Sequence, residues 1–269
     1  NVSRESARRL MEDKKIFHLP IVNNKGFFQG IHLNDGVITS LKKYQNTVLI
    51  MAGGLGKRLR PLTLKTPKPM LNYKNKPIIE HIIKNFNKEG FTNFYISTGY
   101  LGHKIRNYFK DGSEVGLNIK YINEKKPLGT AGSLAFIKKN SKPLIICNGD
   151  LLHKINIEGM LEFHVKNNAF ATMAVRDHHV DNPFGVVNAN GSVIKGFKEK
   201  PVKRFYVNAG IYIFNSNVIN YVKKNKRMDM PELFKDLIKK GKKTIIFPTY
   251  ENWIDIGSYS EYKKINKKI

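Results

Sequence analysis

From Thr47 onward, short apolar runs alternate with segments whose apolar residues recur at helical spacing. Thr47–Met51, Asn93–Ser97, Leu117–Ile122, Pro143–Cys147 and Phe170–Val175 read as strands, and Ala209–Phe214 as a buried strand. Pro77–Lys88 reads as a helix with Pro in its first turn and Gly90 just past its end. Further helices are predicted over His103–Phe109, near Gly132–Lys138, and over Met230–Lys240, the last stopping at Gly241. Gly185–Asn188 and Val193–Lys198 flank Ala189-Asn190-Gly191, a hairpin signal. This alternation predicts an α/β layered fold. Residues 1–45 follow another pattern. Ser6–Glu12 reads as a helix, and Leu19–Ile31 as a hairpin around Asn-Asn-Lys-Gly. Asn34–Asn46 is polar enough for a linker.

The chain has 269 residues, enough for one large domain, or one domain with a small appendage. An apolar fraction of 41% suits a globular protein. No apolar run is long enough to cross a bilayer, so no membrane partner is expected. The opening Asn-Val-Ser-Arg carries neither an initiator Met nor an apolar signal core, and reads as part of a longer chain. The single cysteine, Cys147, rules out an internal disulfide and suits a reducing cytoplasm; its apolar setting reads as a buried strand thiol. The net charge of +26 raises the question of nucleic acid. Of the 47 basic residues only nine are Arg, and the lysines are scattered along the chain. A lysine-coated surface is therefore the expectation, with no nucleic-acid partner.

Chemistry concentrates directly after the first strand of the α/β region. Residues 51–70 place Gly53, Gly54 and Gly56 among Lys57, Arg58, Arg60, Lys65 and Lys68. Glycine lets backbone N–H groups approach an anion closely, and inward-facing amides form an anion nest. The cations then face several phosphate charges at once. The run is not a Walker A loop, because no Gly-Lys-Ser or Gly-Lys-Thr follows. Nor does it match the dinucleotide fingerprint, and Pro61 interrupts any helix beginning there.

The run Gly53-Gly54-Leu55-Gly56-Lys57-Arg58-Leu59-Arg60-Pro61-Leu62-Thr63, followed by Pro67-Lys68-Pro69, resembles the signature of sugar-1-phosphate nucleotidyltransferases. Lys57 departs from it, standing where a small hydroxyl residue is usual. The resemblance implies a Rossmann-like mixed, mainly parallel sheet flanked by helices, the nucleotide-diphospho-sugar transferase (GT-A-like) fold, over residues 46–269. Residues 1–45 resemble the latter part of a cystathionine-β-synthase-type (CBS) module, through Ala7-x-x-Leu10-Met11 and Leu19-Pro20-Ile21-Val22, and would be its remnant plus a linker.

Carried onto this sequence, the family pattern implies Arg58 and Lys68 as catalytic cations. Ala52, Gly53, Gly54, Gly56 and Lys57 would contact the nucleotide. Asp150, in Asn148-Gly149-Asp150, and Asp255, in Trp253-Ile254-Asp255, would ligate Mg²⁺. Either acid alone reads more readily as a turn residue or cap. Magnesium prefers oxygen ligands and commonly combines one or two carboxylates with phosphate oxygens. The base would be read by Glu124-Lys125-Lys126-Pro127-Leu128-Gly129-Thr130-Ala131-Gly132, with Gly129 and Thr130 meeting it and GTP favoured. Gly185, Glu199, Lys200 and Asn208 resemble the pocket for the sugar phosphate.

The implied reaction joins a sugar 1-phosphate to a nucleotidyl group and releases pyrophosphate. The likeness extends to CBS-containing transferases of surface-sugar biosynthesis, with glucosamine 1-phosphate as the favoured sugar and mannose 1-phosphate next. A homodimer and a regulatory ligand at the CBS portion are further expectations. An inactive nucleotide-sensing protein is the alternative of another class.

Overall fold

The computed structural model describes residues 4–14, 16, 18–33, 36–38 and 43–267. The chain divides into two compact units, Asn1–Tyr44 and Gln45–Ile269. In the first, helix α1 (Arg4–Asp13) buries Ala7 and Met11, four residues apart and so on one face. Strands β1 (His18–Val22) and β2 (Phe28–Leu33) form the hairpin expected from the sequence. Its turn is tied by Asn23, whose side-chain oxygen accepts from the amides of Lys25 and Phe27, both at 3.0 Å. The polar segment expected to be a linker is in part a strand: β3 (Gly36–Ile38) adds antiparallel to β2. The rest of that segment up to residue 42 lies outside the described residues.

Strand β4 (Tyr44–Ala52) leads into the second unit and starts three residues earlier than the apolar run indicates. Val48, Leu49 and Ile50 are fully buried on both faces, which is why the run lacks polar alternation. A small ribbon follows, β5 (Asn72–Tyr73) with β6 (Lys76–Pro77), and leads into α2 (Ile78–Lys88). The stripe Ile78, Ile79, Ile82, Ile83 and Phe86 seats α2, with Phe86 edge-on to Phe91 and Phe94 at 6.0 and 6.3 Å. Next come β7 (Phe91–Thr98), α3 (Gly102–Phe109) and β8 (Asn118–Asn123). They are followed by β9 (Leu144–Asn148), β10 (Leu151–His153), α4 (Ile157–Lys166) and β11 (Ala171–Asp181). The chain continues with β12 (Val186–Asn190), β13 (Val193–Lys198) and β14 (Val202–Phe214). It closes with α5 (Met230–Lys239), β15 (Thr244–Thr249), β16 (Trp253–Asp255) and α6 (Tyr259–Lys267).

A seven-stranded sheet in the order β15-β11-β14-β9-β4-β7-β8 forms the frame. The β15–β11, β9–β4 and β7–β8 ladders are parallel; β11–β14 and β14–β9 are antiparallel. This is the α/β layering that the alternation predicts, in the form of the mixed, helix-flanked sheet that the resemblance implies. Three local expectations change. The helix expected near Gly132–Lys138 is a 3-10 turn, Gly132–Phe136. Gly132 is pressed there against Lys226: a methyl group on it would lie 2.9 Å from that carbonyl oxygen. Helices α4 and α6 have no counterpart in the sequence reading, although Asn156 caps α4 by accepting from the Gly159 amide at 2.8 Å. Strand β14 runs well beyond its buried half, pairing Val202–Tyr206 with the exposed end of β11. No helix among the described residues is long and apolar enough to cross a membrane.

Two buried histidines set an acid limit on this core. His153 packs edge-on to Phe86 at 5.8 Å, and neither ring nitrogen has a hydrogen-bond partner. His164 places Nδ1 2.8 Å from the Thr172 hydroxyl. Burial pushes both imidazoles down to about 4. A depressed folded-state pKa means that stability is intact above the ordinary value near 6.5 and is lost as pH falls towards 4. Burial acts oppositely on Glu89, pushed up to about 7 against the amides of Glu158 and Ile157, so its contribution is lost as pH rises. Two groups against one leave a net loss on acidification from 6.5. Thermal unfolding followed by circular dichroism should show this fall, and His153→Leu should make it shallower. An acid limb unchanged in the variant would remove His153 as a cause.

Candidate active site

The glycine-rich run leaves the end of β4, where strand direction delivers ligands to the edge of an α/β sheet. Gly56 adopts φ 60°, which an L side chain resists, and turns the chain into the 3-10 turn Lys57–Leu59. Thr63 fastens the loop by donating its hydroxyl to the Gly56 carbonyl at 2.9 Å. A further 3-10 turn, Lys68–Met70, carries Lys68 between Pro67 and Pro69. Gly54, Gly56, Lys57, Arg58, Lys68 and Asp150 thereby line one cavity of about 320 Å³, together with Leu55, Leu59 and Gly257.

Asp150 follows β9, and Asp255 ends β16. Strands β10 and β16 pair antiparallel with Leu151 opposite Asp255, and the Ile256 amide donates to the Asp150 carbonyl at 3.2 Å. That ribbon is what joins the two acids. Lys68 donates from Nζ to the Asp150 carboxylate, with both side chains largely shielded from solvent. Burial holds the Asp255 carboxyl above the usual carboxylate range and Asp150 adds to the rise, while Lys68 and Arg58 oppose it. Arg58 and Asp255 both reach Gly257: a methyl group there would lie 3.8 Å from the guanidinium and 3.7 Å from the carboxylate.

The remaining sequence-derived residues fall into two neighbouring groups that do not line this cavity. Ala52 is buried at the end of β4, and Gly53 is wedged beneath Glu124: a methyl group at Gly53 would lie 2.7 Å from that carboxylate. Glu124 also accepts from the Leu128 amide at 3.1 Å and so folds the following loop back. Gly129 and Thr130 are locked onto the start of α5. The Thr130 amide donates to Asp229 at 3.0 Å, and its hydroxyl accepts from the Met230 amide at 2.7 Å.

In the second group, a methyl group at Gly185 would lie 3.0 Å from the Glu199 carboxylate. Val186 pairs with Lys198 across the β12–β13 hairpin, and Lys200 takes φ 40° just beyond it. Asn208 donates to the Tyr212 hydroxyl at 2.7 Å and accepts from the Gly210 amide at 2.9 Å. Burial pushes the Tyr212 phenol up to about 12, so it stays protonated.

Among the described residues, no group of three or more His, Cys, Asp or Glu is set to hold a metal ion. The donors at this site are all oxygens. They are the carboxylates of Asp150 and Asp255; two residues before Asp150, the amide oxygen of Asn148 is buried without a hydrogen-bond partner. A hard cation that draws its other ligands from phosphate and water suits such a set. Sequence reasoning held Glu124 only within the stretch expected to read the base, and Asn148 only within the run that leads to Asp150, giving neither a role of its own. Each stands beside a residue it did single out, but only the close approach of Gly53 to Glu124 and the unpartnered oxygen of Asn148 show their place.

The nucleotidyl transferase family model matches residues 47–269. The chain belongs to this family. It is 33% identical over 224 residues to D-glycero-α-D-manno-heptose 1-phosphate guanylyltransferase of Aneurinibacillus thermoaerophilus, covering 82% of this chain and 97% of that one. It is 31% identical over 223 residues to mannose-1-phosphate guanyltransferase beta-B of Xenopus laevis, covering 80% of this chain and 62% of the relative. The chain thus matches a little under two thirds of the length of that mannose relative. A Bacillus anthracis structure provisionally assigned as a glucose-1-phosphate thymidylyltransferase superposes with a TM-score of 0.67 at 25% identity, over 82% of this chain and 94% of that one. HddC from Yersinia pseudotuberculosis shares the fold, with a TM-score of 0.64 at 24% identity over 83% and 99% of the two chains.

Close packing at the loop junction is testable in this nucleotidyltransferase. A methyl group at Gly149 would lie 2.6 Å from the Met51 carbonyl oxygen, a backbone atom that cannot rotate away. Gly149→Ala should cost about 1–3 kcal/mol in stability, read as a lowered thermal midpoint. A midpoint equal to the parent's would contradict the described contact between β4 and the residues after β9.

Proposed function

We propose that this chain transfers a guanylyl group from GTP to a sugar 1-phosphate and releases pyrophosphate. The observation that carries the reading is the shared cavity in which Arg58 and Lys68 meet Asp150, with Asp255 held against it by the β10–β16 ribbon. The guanylyl assignment rests on the relatives, which are named as guanylyl- or guanyltransferases of heptose and mannose 1-phosphates.

In this reading an oxygen of the sugar phosphate attacks the α-phosphorus of GTP. The new P–O bond forms as the bond to pyrophosphate breaks. The attacking phosphate monoester has a second pKa near 6, so it is largely ionised and no general base is required. The difficulty is electrostatic: a dianion must approach a polyanion. Preorganised positive charge is the remedy. Lys57, Arg58 and the amides of the 53–56 loop would hold the triphosphate, Arg58 would stabilise the departing pyrophosphate, and Lys68 would face the α-phosphoryl oxygens. Glu199, Lys200, Gly185 and Asn208 would orient the sugar phosphate; Ala52, Gly129 and Thr130 would frame the base. Mg²⁺, held by Asp150 and Asp255, would supply neutralising charge when bound.

For the sugar, the relatives favour a manno configuration, in mannose or heptose 1-phosphate, over the glucosamine expected from the sequence. The N-terminal unit is read as a CBS remnant on the strength of its α1–β1–β2 order and the Leu19-Pro20-Ile21-Val22 strand. A homodimer, a regulatory ligand at the CBS portion and a cytoplasmic setting belong to the same proposal.

Pyrophosphate release should be followed with GTP, UTP, CTP and dTTP against mannose, heptose, glucosamine and glucose 1-phosphates in the presence of Mg²⁺. Turnover with GTP and a manno-configured sugar supports the proposal; no turnover with any pair favours a nucleotide sensor. In the active combination, Asp150→Asn should lower kcat by two orders of magnitude or more while leaving the circular dichroism spectrum unchanged. Arg58→Ala should cost about 10²–10³-fold in kcat/KM. Near-parental rates in the Asp150 variant would refute its assignment as a metal ligand.

A further inference from the structure

A second cavity, of about 430 Å³, lies at the opposite end of the same strands. Gly53 follows β4 and Glu124 follows β8, and a methyl group at Gly99, just after β7, would lie 2.7 Å from the Gly53 carbonyl oxygen. The C-terminal ends of these three strands therefore converge on the candidate active site. Their opening residues, Thr47, Asn93, Tyr95, Asn118 and Lys120, line the second cavity instead. Asn93 and Thr98 are five residues apart on β7, a separation of about 17 Å along a strand.

The chemistry of this cavity is one-sided. Lys120, Lys138, Lys139 and Lys142 surround it, and no Asp or Glu lines it. Among the described residues, none of the four lysines enters an ion pair. Their loop is nevertheless fixed. The Asn140 side chain donates to the Thr47 hydroxyl at 3.3 Å and accepts from the Lys142 amide at 3.0 Å. Asn46 donates to the Pro143 carbonyl at 2.8 Å, which ties the end of the loop to β4. Lys120 Nζ stands 6.0 Å from the centroid of the Tyr95 ring, so one ammonium is kept beside an aromatic wall.

Four like charges gathered on an ordered rim, without carboxylates, are complemented by a multivalent anion. Lysines act as separated point charges, not as planar forks, and so suit oxygens spread along a chain better than a single carboxylate. The volume falls within the range of small-molecule sites, roughly 300–1,000 Å³. We propose that this cavity binds a linear polyphosphate chain, either free or carried by a nucleoside. The site is separate from the one assigned to the transfer reaction, and the inference stands whether or not that reaction is correct.

The test is calorimetric titration of the whole chain, without divalent metal, using inorganic tripolyphosphate and separately GTP and ATP. Four proteins are compared: the parent, Arg58→Ala, Lys138→Gln/Lys142→Gln, and the surface control Lys235→Gln/Lys239→Gln on α5. The expected result is a class of tripolyphosphate site that survives Arg58→Ala and the α5 control but weakens at least tenfold in Lys138→Gln/Lys142→Gln, whose thermal midpoint stays at the parent's. Within that class, tighter binding of a nucleotide than of tripolyphosphate identifies the nucleoside-borne chain, and equal binding identifies the free one. Binding within twofold of the parent in Lys138→Gln/Lys142→Gln overturns the proposal. An equal loss in the α5 control also overturns it, because binding would then be diffuse attraction to a basic surface.

Discussion

Asp150 and Asp255 are brought together by the β10–β16 ribbon, which follows the middle strand β9 of the seven-stranded sheet, and two partly buried carboxylates so placed repel one another. Positive charge close by offsets that repulsion. Lys68 supplies it directly to Asp150, and Arg58 lies within reach of Asp255 across Gly257. The loop and the 3-10 turns that carry these cations are therefore tied electrostatically to strands far along the chain. The arrangement suits phosphate chemistry: the cations that balance the acids also face an incoming polyanion.

Steric constraint complements the charge. The ends of β4, β8 and β9 approach so closely that a single methyl group at Gly53 or Gly149 would press on a carboxylate or a carbonyl. Close approach keeps the loop amides at the strand ends, where an anion can reach several of them. Glu124 illustrates the coupling. Its carboxylate covers Gly53 while also accepting from the Leu128 amide, linking the phosphate-type loop to the segment that runs on to Thr130 and the start of α5.

The sheet also separates two basic surfaces that composition alone merges. A charge of +26 spread over scattered lysines reads as a general coating. In the folded unit, one set of cations is compensated by Asp150 and Asp255, whereas Lys120, Lys138, Lys139 and Lys142 gather about a cavity with no acidic lining. The difference between them is the supply of nearby carboxylates, a property of position and not of residue count.

The sequence by itself determined the layered α/β class, the main strands of the sheet, the hairpin at Gly191, the N-terminal hairpin and the chemical character of the loop at 53–68. Each depends on short-range periodicity or on residue types whose backbone preferences are local. It also singled out Asp150 and Asp255, but as two unrelated acids joined only by likeness to a family. Tertiary structure decided that they meet, because antiparallel pairing of β10 with β16 is a long-range contact without a local signal. It likewise turned the expected helix after Gly132 into a 3-10 turn by pressing it on the 226–228 segment, and made a strand of part of the expected linker. The basic cavity arose in the same way: four segments remote in sequence line it, and Lys120 joins the loop that carries Lys138, Lys139 and Lys142 only when the strands align their starting ends.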